Sequence, residues 1–289
     1  MLEELAKAEA AVAWFVWNSA VTGFSAAVLN KQTRTELFAK PDRLFANSTR
    51  PTGKAKLVKG GFRVSGRWSL VSGCELAEWI PVMNRVIDGN GSRLVGDNPP
   101  EMRMTFIPRG SFNILDTWYV GGLRGTGSHD IVVEDVFVPN KKTYSYLDPI
   151  RLRRPLYRMP SWPTMSAGCA AICLGLAQNA IATVSERISS EIRRRGQGKI
   201  ANSSQAHTRI ASSMAELHAA RLLLHTTIGE LWETTSHDAA VTPTQCSRLW
   251  TSALHMAKTS KATVQAMYEI AGTSAVYIDS PIERAHRDI

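Results

Sequence analysis

Cysteine is scarce and unpatterned. Only Cys74, Cys169, Cys173 and Cys246 occur among 289 residues, with no CxxC pair, which argues against both a disulfide scaffold and a thiolate zinc site. Reduced, buried thiols in a cytoplasmic protein are the expectation. Long apolar runs are lacking too: the best stretch, Ala167 to Val184, carries Gln178 and Asn179 near its middle, so no membrane-spanning segment and no membrane partner are expected. The opening Met1-Leu2-Glu3-Glu4-Leu5 has none of the basic character of a secretory leader. The chain contains no GxSxG, HExxH, Walker-type loop or GxGxxG, which removes the best-marked hydrolase, zinc-protease, nucleotide-hydrolase and dinucleotide signatures. His218 and His225 lie seven apart on one helical face without a third ligand at suitable spacing, so no metal is expected.

What is present is ordinary in bulk: 44% hydrophobic and 20% charged residues, with a formal net charge of +9. That composition suits a folded protein with a large core. The positive charge is dispersed apart from Arg151 to Arg158 and Arg193-Arg194-Arg195, and neither cluster sits in a nucleic-acid-binding motif, so an anionic small molecule fits better than a nucleic acid.

Texture changes twice along the chain. Residues 1–42 are Ala-rich at first, with Leu5, Ala8, Val12, Phe15 and Val16 at helical spacing, followed by a polar helix or connector from Asn30 to Pro41. Residues 43–140 hold short β-branched or alternating runs separated by Gly, Asn, Asp and Pro, with Lys59-Gly60-Gly61 as a tight hairpin turn. Residues 141–289 begin with a Pro- and Arg-rich connector, Asp148 to Pro163, and then turn helical. Ile210, Met214, Leu217, Leu224, Ile228 and Leu231 share one face of a long helix. Thr242 and Pro243 start another, which ends at Gly272. The expected class is α+β: amino-terminal helices, a middle β domain and a carboxy-terminal helical bundle.

Four stretches carry chemistry or a marker pattern: Asn47-Ser48-Thr49-Arg50-Pro51-Thr52-Gly53-Lys54-Ala55; Gly66-Arg67-Trp68-Ser69-Leu70-Val71-Ser72-Gly73-Cys74; Trp118 to Ser128 with its exit strand Val133 to Pro139; and Arg194, Gly198 and Gln205. Ala271 to Tyr277 and Ser280 to Asp288 add a Gly-rich turn and a terminal Arg-Asp pair. In this order they resemble the acyl-CoA dehydrogenase superfamily, and Trp-Ser-x-x-Ser-Gly-Cys resembles most closely its flavin-dependent monooxygenase branch, which hydroxylates phenols and hydroxyphenylacetate-like compounds. The resemblance implies a flavin, FAD or FMN. It implies that Thr49, Trp68, Ser69 and Ser72 contact it, with Ser72 as the catalytic group near N5 and Ser69 as second choice. It also implies that Arg194, Gly272 and Thr273 reach the cofactor's phosphate. The third stretch is expected to be structural, its glycines forming turns.

Against that pattern the chain is expected to lack much of the amino-terminal helical domain and the catalytic residue beyond Arg287-Asp288, making residues 1–42 a remnant and the bundle incomplete. Three functions stay open. The first is the oxygenase component of a flavin system, with a separate reductase, acting on an aromatic or related small molecule. The others are an FAD-dependent acyl-CoA dehydrogenase and a truncated, non-catalytic remnant. A homo-oligomer, a tetramer or dimer of dimers, is expected from the Ile210 to Leu231 and Leu249 to Met267 apolar faces.

Overall fold

In this computed structural model the described residues are 1–88, 91–92, 94–95, 98–190 and 203–289. The helices are α1 (Leu2–Ala8), α2 (Ala10–Thr22), α3 (Lys31–Phe38), α4 (Pro155–Arg158), α5 (Ser161–Ser190), α6 (Ser204–Ser236), α7 (Pro243–Ala271) and α8 (Pro281–Asp288). The strands are β1 (Ser48–Val58), β2 (Gly61–Trp68), β3 (Trp79–Asp88), β4 (Gly91–Ser92), β5 (Leu94–Val95), β6 (Asn98–Pro100), β7 (Met102–Pro108), β8 (Asn113–Leu115), β9 (Asp130–Pro139) and β10 (Thr143–Tyr144). Two compact units result. A β unit holds Phe15–Tyr119 and Arg124–Tyr157, and a helical unit holds Met1–Trp14, Val120–Leu123 and Arg158–Ile289.

In the β unit the principal sheet runs β10-β7-β3-β1-β2-β9-β8. β1 and β3 pair in parallel and the other neighbours antiparallel. Strand β2 shows why these residues fold as a sheet: Phe62, Val64 and Trp68 are buried while Arg63, Ser65 and Arg67 face out, the period-two pattern of a half-buried strand. Its buried face joins Val82, Val86, Ile107, Ile131 and Val133 in one core cluster. The turn from β1 to β2 falls on Lys59-Gly60, where Gly60 takes φ 83°, a left-handed geometry that costs glycine little.

In the helical unit α7 packs against both α5 and α6, and α1 packs on α5. Helix α7 starts as its sequence predicts. Thr242 caps the Gln245 amide, the Gln245 side chain returns to the Thr242 backbone, and Pro243 stands in the first turn. Its Leu249, Met256, Val264 and Met267 are buried. On α6 the expected apolar face needs correcting: Leu217, Leu224 and Leu231 are buried, but Met214 is 53% exposed, and small residues such as Ser213, Ala220 and Thr227 complete the buried stripe. Close helix packing favours such residues where backbones approach. Helix α1 comes so near α5 that a Cβ on Gly175 would lie 2.3 Å from the Glu3 carbonyl oxygen.

One helix is apolar over its whole length although it holds no long uninterrupted apolar run. By length and composition alone Ser161–Ser189 of α5 is apolar enough to cross a membrane. Half of its most apolar stretch is buried inside the structure, as in the core helix of a bundle.

Candidate flavin site

Antiparallel pairing sets the start of β1 against the end of β2, bringing the first two motifs together. The β1/β3 register shifts between Ser48 and Gly53, so Thr49-Arg50-Pro51-Thr52 lies in an irregular stretch, and such bulges re-aim side chains at the rim of a sheet. Thr49 is half-buried there. Thr52 Oγ1 donates to the Arg67 carbonyl at 2.7 Å, tying the stretch to β2.

β2 ends at Trp68, and Ser72 sits on the following turn rather than on the strand. The strand stops because Leu70 adopts φ 59° and Gly73 φ 75°, neither compatible with an extended ladder. A leucine in the left-handed region with its side chain 47% exposed is a strained residue of the kind that clusters at functional sites. The turn is nevertheless pinned throughout. The Val71 amide donates to the His129 carbonyl at 3.1 Å and the Gly73 amide to the Thr126 carbonyl at 2.8 Å. The Asn18 side-chain amide donates to the Ser72 carbonyl at 3.2 Å, and Asn47 in turn donates to the Asn18 carbonyl at 2.8 Å. Phe15 lies where a Cβ on Gly73 would be, 2.0 Å away, so glycine is required there by both space and φ.

Ser72 is 6% exposed. Its hydroxyl is 2.7 Å from that of Ser128, which is 2.6 Å from Thr126 Oγ1. The three form a buried chain of neutral hydroxyls. Ser69, half-buried, opens the same turn. Trp68 is fully buried, its Nε1 donating to the Met83 carbonyl at 2.9 Å, and its ring fills the space above Gly53 and Gly66, where a Cβ would lie 1.9 and 2.9 Å from ring atoms. The expectation of a cofactor contact from Trp68 is therefore revised: it supports the turn from beneath. Cys74 also packs rather than reacts, for burial pushes its thiol up to about 11.

Gly272 closes α7 with φ 63°, and Thr273 follows it, exposed, in a short 3-10 turn of the helical unit. Arg194 and Gly198 lie outside the described residues. Gln205 is exposed in the first turn of α6. The third stretch is structural in more than its turns. Gly122 lies so near α8 that a Cβ would sit 2.0 Å from the Arg287 carbonyl oxygen. Arg287 donates to the Gly121 carbonyl and Asp288 accepts the Leu123 amide. Thr126 and Ser128 stand in the third stretch, for which only a structural role was expected, and Asn18 carried no signal at all, since a hydroxyl or amide distant in sequence has no spacing signature.

The donor set fits a flavin ring. An isoalloxazine presents alternating nitrogens and carbonyl oxygens along one edge, and neutral hydroxyls that both donate and accept match such an edge without imposing a charge.

Comparisons with known proteins agree. Residues 167–289 match the family model for the acyl-CoA dehydrogenase C-terminal domain. The indole-3-acetate monooxygenase of Pseudomonas putida is 30% identical over 289 residues, spanning 100% of this chain and 72% of that protein. The oxygenase subunit HsaA, a flavin-dependent monooxygenase of Mycobacterium tuberculosis, is 29% identical over 94% of this chain and 71% of its own. Among solved structures, the 3-HSA hydroxylase of Rhodococcus sp. RHA1 superposes with a TM-score of 0.88 at 27% identity, covering 99% of this chain and 74% of that one. XiaF from Streptomyces, in complex with FADH2, reaches a TM-score of 0.90 at 22% identity, a likeness of fold. The chain therefore belongs to the flavin-dependent monooxygenases built on the acyl-CoA dehydrogenase fold, and is an oxidoreductase of that class.

Proposed function

We propose that this chain is the oxygenase component of a two-component system: it takes up reduced FMN or FAD from a separate reductase and hydroxylates an aromatic small molecule with molecular oxygen. The observation that carries this reading is the buried hydroxyl chain behind Ser72, on the turn that follows the Trp68 strand end. Reduced flavin, when bound, supplies the electrons that activate oxygen. The protein's part is to bind and orient the ring through Thr49 and Ser69, to place the Ser72 hydroxyl at its polar edge, and to exclude water with the packed turn beneath. The names of the relatives direct the choice of trial substrate toward aryl acids such as indole-3-acetate.

Two further parts of the reading concern assembly and place. Of the faces first expected Leu217, Leu224, Leu231, Leu249, Met256 and Met267 are buried and Met214 is exposed, while Leu222, Leu223 and Trp232 on α6 and Trp250 and Leu254 on α7 are each between 44% and 55% exposed. Apolar patches of this kind suit burial against further copies, in a dimer or tetramer. All four cysteines are free, which suits a reducing, cytoplasmic setting.

The test mixes purified protein with chemically reduced FMN or FAD and then with isotopically labelled oxygen in the presence of indole-3-acetate and simple phenols. Incorporation of one labelled oxygen atom into the product supports the reading. Hydrogen peroxide as the sole oxygen product across the panel, together with acyl-CoA-dependent reduction of a dye, would overturn it.

A further inference from the structure

Resting on that reading, we propose that Ser128 and Thr126 are positioning residues that set the direction of the Ser72 hydroxyl at the flavin edge. Neither touches the site by itself in this assignment. They act through Ser72.

Geometry carries the case. Ser72, Ser128 and Thr126 are 6%, 4% and 3% exposed, and their oxygens stand in file at 2.7 and 2.6 Å. The spacing is held by the backbone, because the Gly73 amide and the Val71 amide bond to Thr126 and His129 on either side of Ser128. The Cys74 thiol donates to the Gly127 carbonyl at 3.6 Å. Glycine at 127 takes φ 49°, turning the chain so that the side chains of residues 126 and 128 fall on the same file.

A serine hydroxyl rotates, and its proton points wherever its partners direct it. In a helix or turn the usual partner is a nearby carbonyl, which accepts only and fixes one direction. Ser128 is different: as a hydroxyl between two hydroxyls it can donate to either neighbour and accept from either, so the direction of the Ser72 proton is linked to that of its neighbours. Direction matters at a flavin, since the ring nitrogens exchange acceptor for donor character between the oxidised and reduced forms. A group that meets such an edge discriminates between the two states through the way its own proton points.

The readout is the ratio of affinities for oxidised and reduced FMN or FAD, measured by anaerobic titration, beside thermal melting as the control for fold. Ser72→Ala and Ser128→Ala are each expected to shift the ratio by about tenfold, the worth of one hydrogen bond. The double variant is expected to shift it no further than Ser72→Ala alone, because the second residue acts through the first. Thr126→Val, which keeps the volume and removes the hydroxyl, is expected to shift the ratio in the same direction by a smaller factor. Thr126→Ser is expected to restore it. Should Ser128→Ala melt far below the parent, Thr126→Val carries the test. An unchanged ratio in both Ser128→Ala and Thr126→Val, or a double variant whose shift is the product of the singles, overturns the proposal. A parent that binds neither flavin overturns the functional reading itself, a distinct outcome visible before any substitution, and this proposal with it.

Discussion

Asp288 Oδ1 accepts the backbone amide of Leu123 at 2.6 Å, joining residues 165 apart in sequence within the helical unit. Leu123 has φ 50°, a conformation that is costly for leucine and persists only when its surroundings impose it. The same α8 end receives the Gly121 carbonyl through Arg287 and the bare Cα of Gly122. The Gly-Gly-Leu and Arg-Asp motifs, remote in sequence, are thus two halves of one contact.

Burial raises the Asp288 carboxyl above its ordinary 3.8, outweighing the Leu123 bond that lowers it. A raised acid favours folding while protonated, and that contribution is lost as pH climbs through the folded value. Asp288→Asn keeps the acceptor without the buried charge. It is expected to melt no lower than the parent at neutral pH, with the difference closing in acid. Asp288→Ala is expected to lose roughly 1–3 kcal/mol. Denaturant titrations at two pH values decide, and an Asn variant as weak as the Ala variant would refute the account.

Glu3 presents the opposite sign. Burial works to raise its carboxyl, but bonds from Arg221 at 3.0 Å and Gln178 at 2.8 Å prevail and hold it below 4.5. Its stabilisation is present above that value and disappears as pH falls through the lower folded one. Glu3→Gln is expected to cost about 1–2 kcal/mol at neutral pH and almost nothing in acid. Chemical denaturation as a function of pH measures this, and a constant difference across the range would contradict it.

Trp68→Phe removes the donor from the buried Met83 carbonyl and is expected to cost roughly 1–3 kcal/mol with little change in the sheet. Gly53→Ala places a methyl 1.9 Å from the Trp68 ring, and is expected to cost about 3 kcal/mol or more because neither strand can yield. Circular dichroism melts of both variants provide the check; a well-tolerated Gly53→Ala would show that Trp68 can leave its socket.

Ser72→Ala is expected to leave the melting temperature near that of the parent while lowering product formed per oxygen consumed by ten- to a hundredfold, for a hydrogen bond to a developing charge is worth roughly 1.5–3 kcal/mol. Unchanged coupling in oxygen-electrode and product assays would transfer the role to Ser69 or a backbone amide.

Elements governed by local rules were legible in the sequence. The Thr242-Pro243 helix start and the Lys59-Gly60 turn each depend on a few neighbouring residues. The site was legible only in part. The motif singled out Ser72, but the hydroxyl it meets, that of Ser128, lies 56 residues away, and nothing in a lone serine announces a distant hydroxyl. Trp68 was misplaced for a related reason: an aromatic at a strand end reads alike whether it faces a ligand or a core, and the decision rests with Gly53 on the neighbouring strand. Met214 fitted the helical period but faces outward, because small residues on α6 took up the contact instead.

The interlock of Gly53 and Gly66 with the Trp68 ring also divides the neighbourhood for an engineer. At positions 53 and 66 any side chain meets the Trp68 ring, so a library that randomises either glycine alone would consist mostly of destabilised clones. Directly after the joint, Leu70, Glu75 and Leu76 point outward, and residue choice there is not constrained by the core. Variation that leaves the fold intact is best confined to those outward positions, with the joint left as the fixed pin around which they vary.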